Sequence, residues 1–187
     1  MTGVQGWVAI GIVGMAVIWM VWAYNSLVAL RLRTQNAWAE VDVQLKRRHD
    51  LIPNLVETAR GYMQYERGTL EAVTQARAQA VAAASAPVGQ RLAAESALSG
   101  ALGKLFAVAE NYPQLHASEN MQMLQEELTS TENRIAAARQ FYNDEMMKYN
   151  TAQATFPRSL LSHPFGFSPG TMFSADEEDR ATVQVKF

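Results

Sequence analysis

The sequence predicts an all-α protein: an N-terminal transmembrane helix followed by an antiparallel up-down-up-down four-helix bundle, with an extended C-terminal tail. Three observations point there. From Gly6 to Tyr24 the run GWVAIGIVGMAVIWMVWAY is unbroken apolar sequence. Beyond it, apolar residues recur at spacings of three, four and seven, the period of a helix with one buried stripe. The periodic segments are separated by short breaks marked by Pro, Gly and Asn. A chain of 187 residues has room for one globular domain plus an anchor.

The anchor occupies residues 1–24. A helix of about 20 apolar residues crosses a hydrocarbon core of ~30 Å. Charged residues make up only 18% of the chain, and none of them lies between Met1 and Leu30, so that end is built for a solvent other than water. Trp7 at one end of the run, and Trp19, Trp22 and Tyr24 at the other, sit where amphipathic rings favour membrane interfaces. Val21-Trp22-Ala23 loosely fits a signal-cleavage pattern, but the run is longer than a signal core and no Lys or Arg precedes it. It is read as a retained anchor. Arg31 and Arg33 follow the span, so the Lys/Arg asymmetry places the C-terminal body in the cytoplasm.

The body spans residues 25–156. Leu27, Leu30, Ala37, Val41 and Leu45 carry a first helix over about 25–48. A kink or tight turn is expected from His49 to Pro53, where Asp50 can cap a new turn and Pro53 is tolerated early. The second helix, about 50–84, carries Leu55, Ala59, Tyr62, Leu70, Val73, Ala76 and Ala80, and breaks at Ser85, Pro87 and Gly89. Leu98, Leu102, Leu105 and Ala109 define a third helix over 90–110, closed by Asn111-Tyr112-Pro113. The fourth, 117–156, keeps Met121, Leu124, Leu128, Ile135, Ala138, Tyr142 and Tyr149 on a near-heptad stripe. Short connections imply antiparallel neighbours. The last helix then returns to the membrane-proximal end, where Phe156, Leu160, Leu161, Phe165, Phe167 and Phe173 pack against the bundle base or meet the lipid interface.

Three stretches, Tyr24-Asn25-Ser26-Leu27-Val28, AWAEVDVQLKRRHDLIPNLVETARGY from Ala37 to Tyr62 and TENRIAAARQFYN from Thr131 to Asn143, resemble hallmark segments of the LemA family. AESALSGAL from Ala94 to Leu102, Glu110-Asn111-Tyr112-Pro113 and the closing Gly166-Phe167 segment do so too, so the resemblance covers nearly the whole chain. It implies an N-terminal transmembrane helix and an antiparallel helical bundle; the expected location is the bacterial inner membrane. It implies little about activity, since LemA-like proteins are largely of undetermined function; some relatives belong to magnetosome membrane sets and others are encoded near membrane proteases. Tyr65 stands where the pattern usually has His, so no role is carried to that site.

Little in the residues suggests catalysis. A di-iron bundle needs Glu-x-x-His pairs, and no Glu here has His three residues later. His49, His116 and His163 fall in or near predicted turns and share no ligand spacing, so no metal or cofactor is expected. The chain has no cysteine, which removes thiolate chemistry and disulfides alike. Gly166-Phe167-Ser168-Pro169-Gly170 spells Gly-x-Ser-x-Gly but lacks the strand, helix and downstream His of a nucleophile elbow; it is read as a loop. The net charge of −2 gives no reason to expect nucleic acid.

The dense polar run Asp42, Lys46, Arg47, Arg48 and Asp50, with Asn54 beyond it, is the main charge feature. On a straight helix Lys46 lies roughly 33 Å past the span, several Debye lengths from lipid charge. These residues, with Glu132, Asn133 and Arg134, are therefore expected to form a polar network inside the bundle or a docking motif. Asp42 can pair with Lys46 at i,i+4, and the basic residues with Glu126, Glu127 or Glu132 across helices. Tyr142-Asn143 and Tyr149-Asn150 repeat a heptad apart, echo Tyr24-Asn25, and are expected to fix helix register near the base.

The tail covers residues 157–187. After the acidic stretch Asp176 to Asp179, Thr182, Val183, Gln184, Val185, Lys186 and Phe187 alternate with strand periodicity. A lone strand is unstable in water, so this one is expected to pair between chains, in a homo-oligomer or on a partner's sheet edge. The expected function is a non-enzymatic membrane-anchored scaffold that self-associates and organises membrane proteins or membrane shape. The alternative is an adaptor docking a client such as a membrane protease. Its expected partners are the lipid bilayer, further copies of itself and a membrane-protein client.

Overall fold

The computed structural model describes residues 2–173, which form helices joined by short irregular segments, with no strand among them. The acidic stretch and the strand expected at Thr182–Phe187 lie outside the described residues. The helices are α1 (Thr2–Arg60), α2 (Arg67–Ala82), α3 (Val88–Ala109), α4 (Pro113–His116), α5 (Glu119–Ala154) and α6 (Ser159–Ser162), with a 3-10 turn at Ala83–Ser85.

The apolar run forms the first part of α1. Its large side chains stand exposed, Trp7, Ile10, Met15, Ile18 and Trp22 among them. By length and composition this helix can cross a membrane; so can α3, but α3 buries one apolar stripe in protein. Further along α1 a stripe at Ala23, Leu27, Thr34, Ala37, Val41, Leu45, Arg48, Ile52, Leu55 and Ala59 is buried, the three-and-four spacing of a packed helix face.

One expectation is corrected here. Instead of breaking at His49 to Pro53, α1 continues to Arg60, and the chain turns over Gly61–Glu66. Proline within a helix deletes the hydrogen bond to the carbonyl four residues back, here that of His49. Arg77 replaces it: its Nε donates to the His49 carbonyl at 2.6 Å. With the acceptor satisfied, the helix can pass the proline. The turn is instead closed by Tyr62 and Met63 donating to Ala59 O at 3.0 and 2.9 Å.

The chain divides into two compact units. In the unit Glu40–Ala137, α1, α2, α3 and α5 share a core of Ile52, Leu55, Val73, Leu98, Leu105 and Leu128, with Leu115 of α4 beneath it. The other unit holds residues up to Ala39 and those from Ala138 onward. There the expected extended tail is corrected in part, because Ser159–Ser162 form the short helix α6. Ser162 Oγ pins it by donating to Gln153 O at 3.1 Å. Gly166 then takes a φ of +71°, which favours glycine, and lets the chain reverse. The apolar set after α5 splits: Leu161 and Phe167 are buried, whereas Phe156, Leu160 and Phe165 are exposed.

Candidate functional site

The densest polar arrangement in the unit Glu40–Ala137 centres on Arg48, whose place on the buried stripe of α1 leaves it 1% exposed. Its guanidinium pairs with Glu95 of α3 and, at 2.6 Å, with Glu132 of α5. It also donates to Ser99 Oγ at 3.0 Å and approaches the Glu95 carbonyl at 3.4 Å. Glu95 is 2% exposed, and His49 Nε2 lies 3.1 Å from its Oε1. Burial alone pushes the Glu95 carboxyl up; the hydrogen bond from His49 and the charge of Arg48 outweigh it and hold the carboxyl below its ordinary value.

Around this centre Asp42 pairs with Arg91 of α3 rather than with Lys46. Arg47 meets Glu127 at 2.5 Å on the surface. Arg77 ties α2 to the same turn of α1 through the His49 carbonyl. The structure thus brings Asp42, Arg47, Arg48 and Glu132 into ion pairs and leaves Lys46, Asp50, Asn54, Asn133 and Arg134 exposed outside them. Sequence reasoning missed Glu95, His49, Ser99, Arg91 and Arg77. The two buried charges on α3 did leave a signal: Arg91 and Glu95 continue the stripe of Leu98, Leu102, Leu105 and Ala109 at the same alternating spacing.

Most polar atoms of this set are engaged, with Arg48 Nε buried and without a hydrogen-bond partner among the described residues. Arginine stays protonated and serves as no base, and Glu95 has both cationic and imidazole partners already in place. A hollow of about 720 Å³ lined by Arg60, Met63, Gln64, Arg67 and Glu71 contains none of these residues. Among the described residues no group of three or more His, Asp or Glu side chains could hold a metal ion. Through these pairs α1 is joined to both α3 and α5.

The second arrangement belongs to the other unit. Asn143 donates to Phe173 O at 3.0 Å and accepts from Phe173 N at 2.8 Å. Asn150 does the same with Gly170, at 3.0 Å in both directions. Between them Tyr142 donates to Thr171 O at 2.9 Å. Seven helical residues rise about 10.5 Å, and three residues of nearly extended chain cover about 10 Å, so one heptad matches the step from Gly170 to Phe173. The Phe173 ring stacks on Trp38 at 5.3 Å and meets Tyr142 edge-on. Tyr149 is buried. The Asn side chains expected to set helix register therefore hold the backbone of the segment after α6. Burial holds the Tyr142 hydroxyl above its ordinary pKa, so it remains a donor.

Comparison with known proteins adds the following. The family model described as LemA family matches residues 37–187. Magnetosome protein MamQ 2 of Paramagnetospirillum magneticum is 25% identical over 174 residues, covering 80% of this chain and 64% of the relative. Magnetosome protein MamQ of Magnetospirillum gryphiswaldense is 24% identical over 168 residues, covering 77% and 62%. Protein LemA of Metamycoplasma hominis is 26% identical over 164 residues, covering 86% and 73%. The chain thus spans less than two thirds of the length of the magnetosome proteins it matches.

Proposed function

The chain belongs to the LemA family, and on that premise we propose that it is a non-enzymatic, membrane-anchored scaffold that self-associates and organises membrane proteins or membrane shape. The observation that carries this reading is the direction in which the polar groups turn. The charges of the DVQLKRRH stretch are largely engaged with partners of their own unit, Arg48 with Glu95 and Glu132, Asp42 with Arg91. The apolar residues from Gly6 to Trp22 face outward, which suits a helix solvated by lipid. Relatives named as magnetosome proteins support a membrane-associated role. In this reading the body is an antiparallel four-helix bundle on the cytoplasmic side of a bacterial inner membrane. Copies associate through the alternating segment Thr182–Phe187.

A second reading, an adaptor for a membrane-protein client, is favoured by one observation. Lys46, Asp50 and Asn54 are exposed at successive i,i+4 positions of α1 and make none of the ion pairs above. Purifying the full-length protein in mild detergent separates the two. An assembly mass of several chains that falls when Gln184 to Phe187 are deleted supports the scaffold. A single chain carrying a stoichiometric co-purifying protein, lost on reversing the charges of Lys46 and Asp50, would replace it with the adaptor.

A further inference from the structure

We propose that the segment after α5 forms a second, non-spanning membrane contact, with Phe156, Leu160 and Phe165 seated in the headgroup interface and Arg158 reaching lipid phosphate. The proposal rests on the reading of Gly6 to Tyr24 as a span. If that run crosses the bilayer, Trp22 and Tyr24 mark its end and sit at headgroup level, where indole and phenol rings partition. The segment after α5 is fixed to those same two residues. The Phe165 and Phe167 rings meet Tyr24 edge-on at 5.3 and 5.7 Å. The Arg158 guanidinium lies 5.0 Å over the Trp22 ring. Whatever the tilt of α1, these contacts hold the segment at the depth of Trp22 and Tyr24.

Its side chains suit that depth. Leu161 and Phe167 already serve the protein interior, whereas Phe156 is 75% exposed, Leu160 63% and Phe165 49%. With Trp22 at 58% they make an apolar patch that water solvates poorly. From Thr155 to Phe173 there is no Asp or Glu, and the cation present is Arg158. An apolar surface with an arginine whose stem lies along an aromatic ring is the composition that binds the boundary between acyl chains and phosphates. The patch is presented rigidly, since Ser162 ties α6 back to Gln153 at 3.1 Å. A second copy could cover the same patch, but only the lipid interface is placed there by the Trp22 and Tyr24 contacts.

Because the chain has no cysteine, single cysteines can carry an environment-sensitive nitrobenzoxadiazole label in the full-length protein. Leu160→Cys, Phe165→Cys and Trp22→Cys, with Gly14→Cys for the span, would be reconstituted into phosphatidylcholine–phosphatidylglycerol vesicles. Parallel samples would contain lipids brominated either near the headgroup end or near the methyl end of the acyl chain. The expected result is a loss of fluorescence at Leu160→Cys and Phe165→Cys comparable with that at Trp22→Cys. Quenching at Gly14→Cys and Trp22→Cys without quenching at the other two overturns this proposal and leaves the anchor intact. No quenching at Gly14→Cys or Trp22→Cys in lipids brominated at either depth overturns the anchor reading and this proposal with it. A disulfide-linked dimer from unlabelled Leu160→Cys, with the label unquenched, would assign the patch to a second copy instead.

Discussion

At the scale of single residues, the decisive question is what a buried ion pair contributes. Desolvating Arg48 and Glu95 costs several kcal/mol, which their attraction only roughly offsets. The net contribution of the intact pair to stability is therefore small. Removing one partner is a different matter, because it strands the other charge. Arg48→Met is expected to cost about 3–5 kcal/mol by chemical denaturation in detergent, and Arg48→Met with Glu95→Leu less than the sum of the single changes. The pH dependence follows in sign. Glu95 has a lowered folded-state pKa, so its contribution is fully present above its unfolded value of 4.5 and is lost as pH falls through the lower folded value. Glu95→Gln should flatten the acid limb of stability below about pH 4.5; an unchanged limb would remove Glu95 as its source. Half of this cluster was legible. The basic residues could be matched by charge across helices to Glu126, Glu127 or Glu132, and the structure pairs Arg47 with Glu127 and Arg48 with Glu132. Glu95 could not, because in a run of alanine and serine a glutamate reads as a solvated face until the stripe is extended backward from Leu98.

At the scale of elements, periodicity carried most of the reading. Apolar stripes set by spacings of three and four depend only on local sequence, so Leu98, Leu102, Leu105, Met121, Leu124 and Leu128 all lie in the core where their spacing puts them. The helix break was not local. Whether α1 passes Pro53 depends on Arg77, which lies on another helix and satisfies the carbonyl that proline orphans. Arg77→Met should expose that dependence by about 1–3 kcal/mol, the cost of a buried carbonyl without a donor. Pro53→Ala restores an N–H to the same carbonyl, so in the double variant most of the loss should vanish. Additive losses in this cycle would mean that Arg77 acts through packing alone. The Asn143 and Asn150 clamps were illegible for a related reason: their partner is backbone, and backbone has no sequence signature. Asn143→Ala gives up both hydrogen bonds to Phe173 and should favour local opening there by about 1–3 kcal/mol. Amide hydrogen exchange at Phe173 reads this directly, and an unchanged rate would show that the Trp38 stack holds the segment unaided.

At the scale of the whole molecule, the membrane relationship organises everything else, and it turns on a few residues. A proposed span from Gly6 to Tyr24 has no charge of its own, so its orientation is set by flanking cations. Arg31 and Arg33 stand exposed on α1 just beyond it, close enough to resist translocation. The body is therefore expected on the cytoplasmic side. A cysteine placed at the exposed Gln125, the only thiol in the chain, should escape a membrane-impermeant maleimide in intact bacterial spheroplasts and react after lysis. Labelling before lysis would reverse the orientation and with it the compartment of any client. Arg31→Gln with Arg33→Gln tests the cause as well as the outcome. If these two cations set topology, their loss should produce a mixed population, with part of the Gln125→Cys protein labelled in intact spheroplasts. If instead the folded body resists translocation by itself, the double variant will stay protected, and the positive flank will have been incidental to an orientation fixed by the bulk of the domain.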